Sequence, residues 1–120
     1  MQMLDVFIPG ELPGLNEIIG ANRRNRFAGA KQKHQHTAAI AAQLAGVPPV
    51  TARCDWSFTW VCANKRRDPD NVASACKFVF DALQAAGIIT NDGWAQVASI
   101  THAFEVGAPV GVTVQADAIQ

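Results

Sequence analysis

Two acidic residues flank a proline in Asp68-Pro69-Asp70, directly after the basic triplet Lys65-Arg66-Arg67 and directly before Asn71. Carboxylates at this spacing on an extended chain point to opposite sides. Pro69 holds Asp68 out of the helical region and lets the chain bend before a helix starts. A bend can converge both side chains on one point. Carboxylates so placed repel each other at neutral pH unless a cation lies between them, and a hard divalent ion resolves that repulsion. Mg²⁺ accepts a few carboxylates and fills its other positions with water or phosphate oxygens, so the chemistry suggested is hydrolysis at phosphorus. The plainer reading is that Asp70 caps the next helix and Asp68 pairs with Arg67.

Lys77 and Asp81 are spaced to sit one above the other on a helix face. Such a pair is ordinarily a surface ion pair worth a few tenths of a kcal/mol. In the functional reading Lys77 reaches a phosphate and balances charge as the bond breaks. A helix beginning at Asp70 would put about 10 Å between Asp70 and Lys77. A helix capped by Ser74 would leave 70–73 as loop and Lys77 in the first turn, and this second arrangement is the expected one. Asp92 supplies another carboxylate, in Asn91-Asp92-Gly93, which is also an ordinary turn signal. His34 and His36 point to different sides of a helix and read as solvated or phosphate-facing. His102, on an apolar strand face, reads as a hydrogen-bonded core residue.

All ten Lys and Arg residues lie between Arg23 and Lys77, with three acids among them, so this window carries +7 and the rest of the chain −7. One basic face could meet a polyanion. Candidate phosphate-binding residues are Arg23, Arg24, Arg26, Lys31, Lys33, Lys65, Arg66 and Arg67. Ordinary solvated side chains would give the same pattern. Cys54, Cys62 and Cys76 form no CxxC pair, which fits a reducing cytoplasm. The start, MQMLDVFIPG, does not read as a signal peptide, and no apolar run is long enough for a membrane span.

The elements that must position these residues follow from periodicity. A strand is expected at Met3–Pro9, then a Gly-, Pro- and Asn-rich loop over Gly10–Gly29 with a basic tip. A helix follows at Ala30–Ala45, stopped by Gly46, Pro48 and Pro49. Strict alternation from Val50 to Ala63 puts Cys54, Trp56, Phe58 and Trp60 on one buried face, so both tryptophans are core. A helix ends at Ala86 with Gly87 as its cap, a strand runs near Gln96–Val106, Gly107–Gly111 reads as a hairpin turn, and Val112–Ala116 is a last strand. The expected fold is α+β, a single domain over 1–120. It has one mixed sheet of about four strands with two helices packed on one face.

Arg67-Asp68-Pro69-Asp70-Asn71, Lys77-Phe78-Val79-Phe80-Asp81-Ala82-Leu83, and Ala86-Gly87-Ile88-Ile89-Thr90-Asn91-Asp92 with Gln96-Val97 beyond together resemble the RusA family of Holliday-junction resolvases. Pro13-Gly14-Leu15-Asn16 resembles that family's Pro-Ser-x-Asn element more loosely. The resemblance implies a homodimeric, Mg²⁺-dependent endonuclease that nicks four-way junctions symmetrically, of a kind often encoded by phages and prophages. Asp68, Asp70 and Asp92 would hold the metal and Lys77 would assist at the phosphate. Three departures stand out: a longer gap before Lys77, one carboxylate in place of an acidic pair at Asn91-Asp92, and the added Gly93-Trp94. Three other readings compete with it: a branched-DNA-binding protein without catalysis, a Mg²⁺-dependent hydrolase of small phosphodiesters, and a plain structural subunit.

Overall fold

The structure is a computed structural model that describes residues 1–14 and 26–119, with only the backbone described for 26–29 and 32–33. Its elements are β1 (Gln2–Pro9), α1 (Arg26–Gln43), β2 (Cys54–Cys62), α2 (Pro69–Ala73), α3 (Cys76–Ala85), β3 (Val97–Val106) and β4 (Gly111–Ala118). They form the expected α+β fold around one mixed four-stranded sheet, ordered β1-β4-β2-β3. Of the expected loop, 15–25 lies outside the described residues. The following helix starts at Arg26, earlier than its apolar stripe suggests, because that stretch carries little periodicity.

β2 is the spine. Its alternation buries Cys54, Trp56, Phe58 and Trp60 on one face. Phe80 of α3 packs edge-on against Trp56 and Phe58, with ring centroids 5.3 and 5.5 Å apart. Ile40 and Leu44 from the α1 region join the same core, as do Val79 and Leu83 of α3. Both core indoles have partners: Trp56 Nε1 donates to the Gln96 carbonyl at 3.1 Å, and Trp60 Nε1 to His102 Nδ1 at 2.9 Å.

β3 and β4 do not form the expected hairpin. β2 lies between them, parallel to β3 and antiparallel to β4. Burial gives the reason. Val112, Val114 and Ala116 of β4 are fully buried and belong in the middle of the sheet. Thr101, Ala103 and Glu105 of β3 are exposed, which suits an edge. Ile100, Phe104 and Val106 are also exposed along that outer strand.

The segment between β2 and β3 departs from expectation in one respect. Residues 70–73 are helical rather than loop, and α2 and α3 are separated only at Ser74-Ala75, with Ala75 as the cap of α3. Amides of Ala75, Lys77 and Phe78 bond carbonyls three residues back, so the chain tightens here instead of opening. Lys77 still falls in the first turn of α3. At the other end Gly87, at φ +76°, closes α3: its amide bonds the Gln84 carbonyl at 3.0 Å while Ile88 bonds Leu83 at 2.9 Å, a Schellman closure. Among the described residues no helix is long and apolar enough to cross a membrane.

Candidate functional site

The tightened turn at Ser74-Ala75 sets where Lys77 points. Its ammonium lies 3.1 Å from Asp81 Oδ1, one helical turn along, and 3.1 Å from Asp92 Oδ2, in the loop that follows α3. The i,i+4 pair and the link between two segments therefore coexist. Hydrogen bonds that Lys77 donates to Asp92, then to Asp81, raise its pKa above the usual value despite some desolvation. Lys77 is thus cationic across the neutral range and can offset negative charge but not take up a proton. The neighbouring Cys76 thiol is pushed up by burial, which outweighs the help of Lys77, so it is not an activated nucleophile.

The Asp92 loop is held from several directions. Gly93 N donates to Gln96 Oε1 at 3.1 Å, and Gln96 Nε2 donates to Thr90 Oγ1 at 3.3 Å. Gln96 and Val97 amides both bond the Gly93 carbonyl. Arg53 Nε bonds the Trp94 carbonyl at 2.8 Å, tying the loop to the start of β2. Arg53 and Trp94 were not singled out by their sequence context. An aromatic residue after the glycine of a polar turn was the available signal for Trp94.

Asp68 and Asp70 sit elsewhere on the segment. Asp68 is the residue before α2, exposed and making no capping bond, and Asp70 Oδ1 accepts from its neighbour Asn71 N at 2.9 Å. Asp68 lines a cleft of about 500 Å³ with Lys65, Phe104 and Glu105, at the C-terminal end of β3. The Asp92 loop feeds the N-terminal end of that strand. The structure accordingly brings together Lys77, Asp81 and Asp92. It does not gather Asp68, Asp70 and Asp92: among the described residues no three His, Cys, Asp or Glu side chains form a group able to hold a metal. The donor chemistry of the three aspartates, all carboxylate oxygen, is nevertheless the kind that Mg²⁺ takes.

Of the basic residues, Lys31, Lys65 and Arg66 are exposed. Arg67 is engaged inward: Nη1 donates to the Leu12 carbonyl at 2.8 Å and Nη2 lies 3.1 Å from Glu11. It pairs with Glu11 and fastens the stretch after β1 beside α2. Gly14 lies so close to Asn71 that a Cβ there would overlap the Asn71 carbonyl and side chain. The Pro13-Gly14 element therefore meets the Asp-x-Asp-Asn motif in space. Arg23 and Arg24 lie outside the described residues, as do the side chains of Arg26 and Lys33. His34 is exposed, whereas His36 packs edge-on to Phe78 at 6.0 Å and is not simply solvated. His102 is partly buried in contact with Phe58, Trp60 and Phe104. No protein-family model matches the chain, and no curated protein matches it.

Proposed function

We propose that the chain is a Mg²⁺-dependent endodeoxyribonuclease of the RusA kind. It would nick Holliday junctions and related branched DNA symmetrically, as a homodimer, in recombination and repair in the cytoplasm of a bacterial or phage-infected cell. The observation that supports this reading most is the 3.1 Å approach of Lys77 Nζ to Asp92 Oδ2. A lysine suited to a phosphate and a carboxylate suited to a metal come from separate segments and share one place. Asp68, Asp70 and Asp92 would hold Mg²⁺, or Mn²⁺ in its stead, only once Asp68 and Asp70 are drawn toward Asp92, since the three are not gathered here; the ion would supply Lewis acidity and a lowered pKa for the attacking water.

Lys77, cationic at neutral pH, offsets charge gathering on the phosphoryl oxygens. Lys31, Lys65 and Arg66, exposed, take phosphates of the junction arms, joined by Arg23, Arg24, Arg26 and Lys33, while Arg67 stays committed to Leu12 and Glu11. Two sites related by a two-fold axis suit a substrate with its own approximate two-fold symmetry. The test is a synthetic four-way junction with Mg²⁺ on a denaturing gel, where paired nicks are expected. Asp70→Asn should bind the junction as the parent does and leave it intact; cleavage at the parent rate by that variant ends the reading. A second reading, a branched-DNA-binding protein without catalysis, is favoured by the neutralisation of Asp92 by Lys77. It expects tight junction binding and no nicking by the parent protein at any Mg²⁺ or Mn²⁺ concentration.

A further inference from the structure

Trp94 is 88% exposed, whereas Trp56 and Trp60 are 1% and 4% exposed. Exposure alone is ordinary for a single apolar side chain; what sets Trp94 apart is a flat ring held on a clamped turn beside cations. Its position is fixed through its backbone. The Gly93 carbonyl accepts from the amides of Gln96 and Val97, so Trp94 stands on a tight turn, and Arg53 Nε clamps its carbonyl at 2.8 Å. None of these bonds involves the indole. Trp94 follows Asp92 by two residues, so their Cα atoms are at most about 7 Å apart. An exposed guanidinium, an ammonium and a flat apolar ring thus border one small area.

We propose that Trp94 is a stacking platform for a nucleobase that has left its helical stack in branched DNA, with Arg53 beside it for the attached phosphate. This rests on the branched-DNA reading above and names the part of the substrate that the Asp92 loop meets. The chemistry fits the residues. Bases offer a flat π-face that an indole can cover without reading sequence, while the flanking cations meet the backbone charge. A base inside an intact duplex has no such face to give, so the platform favours distorted or branched DNA. A turn held by main-chain bonds presents the ring at little ordering cost.

Trp94 is itself the probe, because the other two indoles are buried. A four-way junction and a linear duplex of the same arm sequence are titrated in EDTA, and tryptophan emission and acrylamide quenching are followed. The junction is expected to quench and shield the exposed indole and the duplex to leave it unchanged. Trp94→Ala should remove that signal, keep the parent melting temperature, and weaken junction binding about tenfold or more, with Trp94→Phe retaining most of the affinity. Replacing the branch-point bases by abasic sites should abolish quenching while binding persists. A junction that binds without altering Trp94 emission, equal quenching by duplex, or parent-like affinity in Trp94→Ala overturns the proposal. Quenching by the junction with no nicking in Mg²⁺ would leave the platform standing and sink the nuclease. Nicking with a silent Trp94 would do the reverse, and no junction binding at all would sink both.

Discussion

With its ammonium between Asp81 and Asp92, Lys77 has a structural share and a chemical share that one variant separates. The pair is more than half exposed on the lysine side, so Lys77→Met should change stability by less than about 1 kcal/mol. Loss of a cation at the transferring phosphate should instead lower single-turnover cleavage by roughly 10²–10³-fold. A melting curve beside a rapid-quench time course checks both. His102 predicts a pH dependence. Burial holds its pKa below the ordinary histidine value, and Nδ1 accepts the Trp60 N–H, which a protonated ring could not do. The unfolded chain therefore takes up a proton more readily than the folded one. Stability from this residue is full above about pH 6.5 and falls as pH drops through that value toward the lower folded pKa. Urea midpoints at pH 7.5 and 5.5 should differ more for the parent than for His102→Gln. At this scale, types and spacing were enough to single out Lys77 and Asp92. They could not show that Arg67 finds Glu11, because nothing local encodes that partner. They could not show either that Asp68 and Asp92 attach to opposite ends of β3, which depends on β3 running parallel to β2.

Among the elements, α3 is the one on which the site's geometry leans most. Its closure needs Gly87 at positive φ with open space where a Cβ would go. Gly87→Ala should therefore destabilise by about 1 kcal/mol, from backbone conformation alone and without a clash. Its hold on the sheet is Phe80, wedged edge-on between Trp56 and Phe58, and Phe80→Ala should cost about 3–5 kcal/mol. Chemical denaturation ranks the two. β2 was legible because strict alternation of large apolar residues leaves one choice of buried face. The end of α3 was legible because Ala86-Gly87 is a cap signal. The β3–β4 hairpin was misread because sequence neighbours usually pair, whereas here β2 takes β3 on one edge and β4 on the other, and β4, with Val112, Val114 and Ala116 buried, lies inside the sheet. The short α2 was missed because Pro69 suggests a bend, although proline at a first helical position is well tolerated.

Over the whole molecule the balance of charge is zero, but the cations lie in one stretch of chain. Binding to DNA through that stretch should weaken steeply with salt. Lys65→Ala and Arg66→Ala should each reduce the slope of log K against log salt by about 0.9, equally for junction and duplex. Fluorescence anisotropy at several salt concentrations measures it. The same sheet that buries β4 leaves β3 with a bare rim, bearing Ile100, Phe104 and Val106 in water. Amides and carbonyls along such a rim accept any extended strand that drifts against them. In concentrated stocks or during refolding, this is where the protein should clump first, unless a two-fold mate already covers it. Ile100→Lys would then act as a gatekeeper, raising the concentration at which turbidity begins if the rim is bare, and splitting a dimer if it is shared.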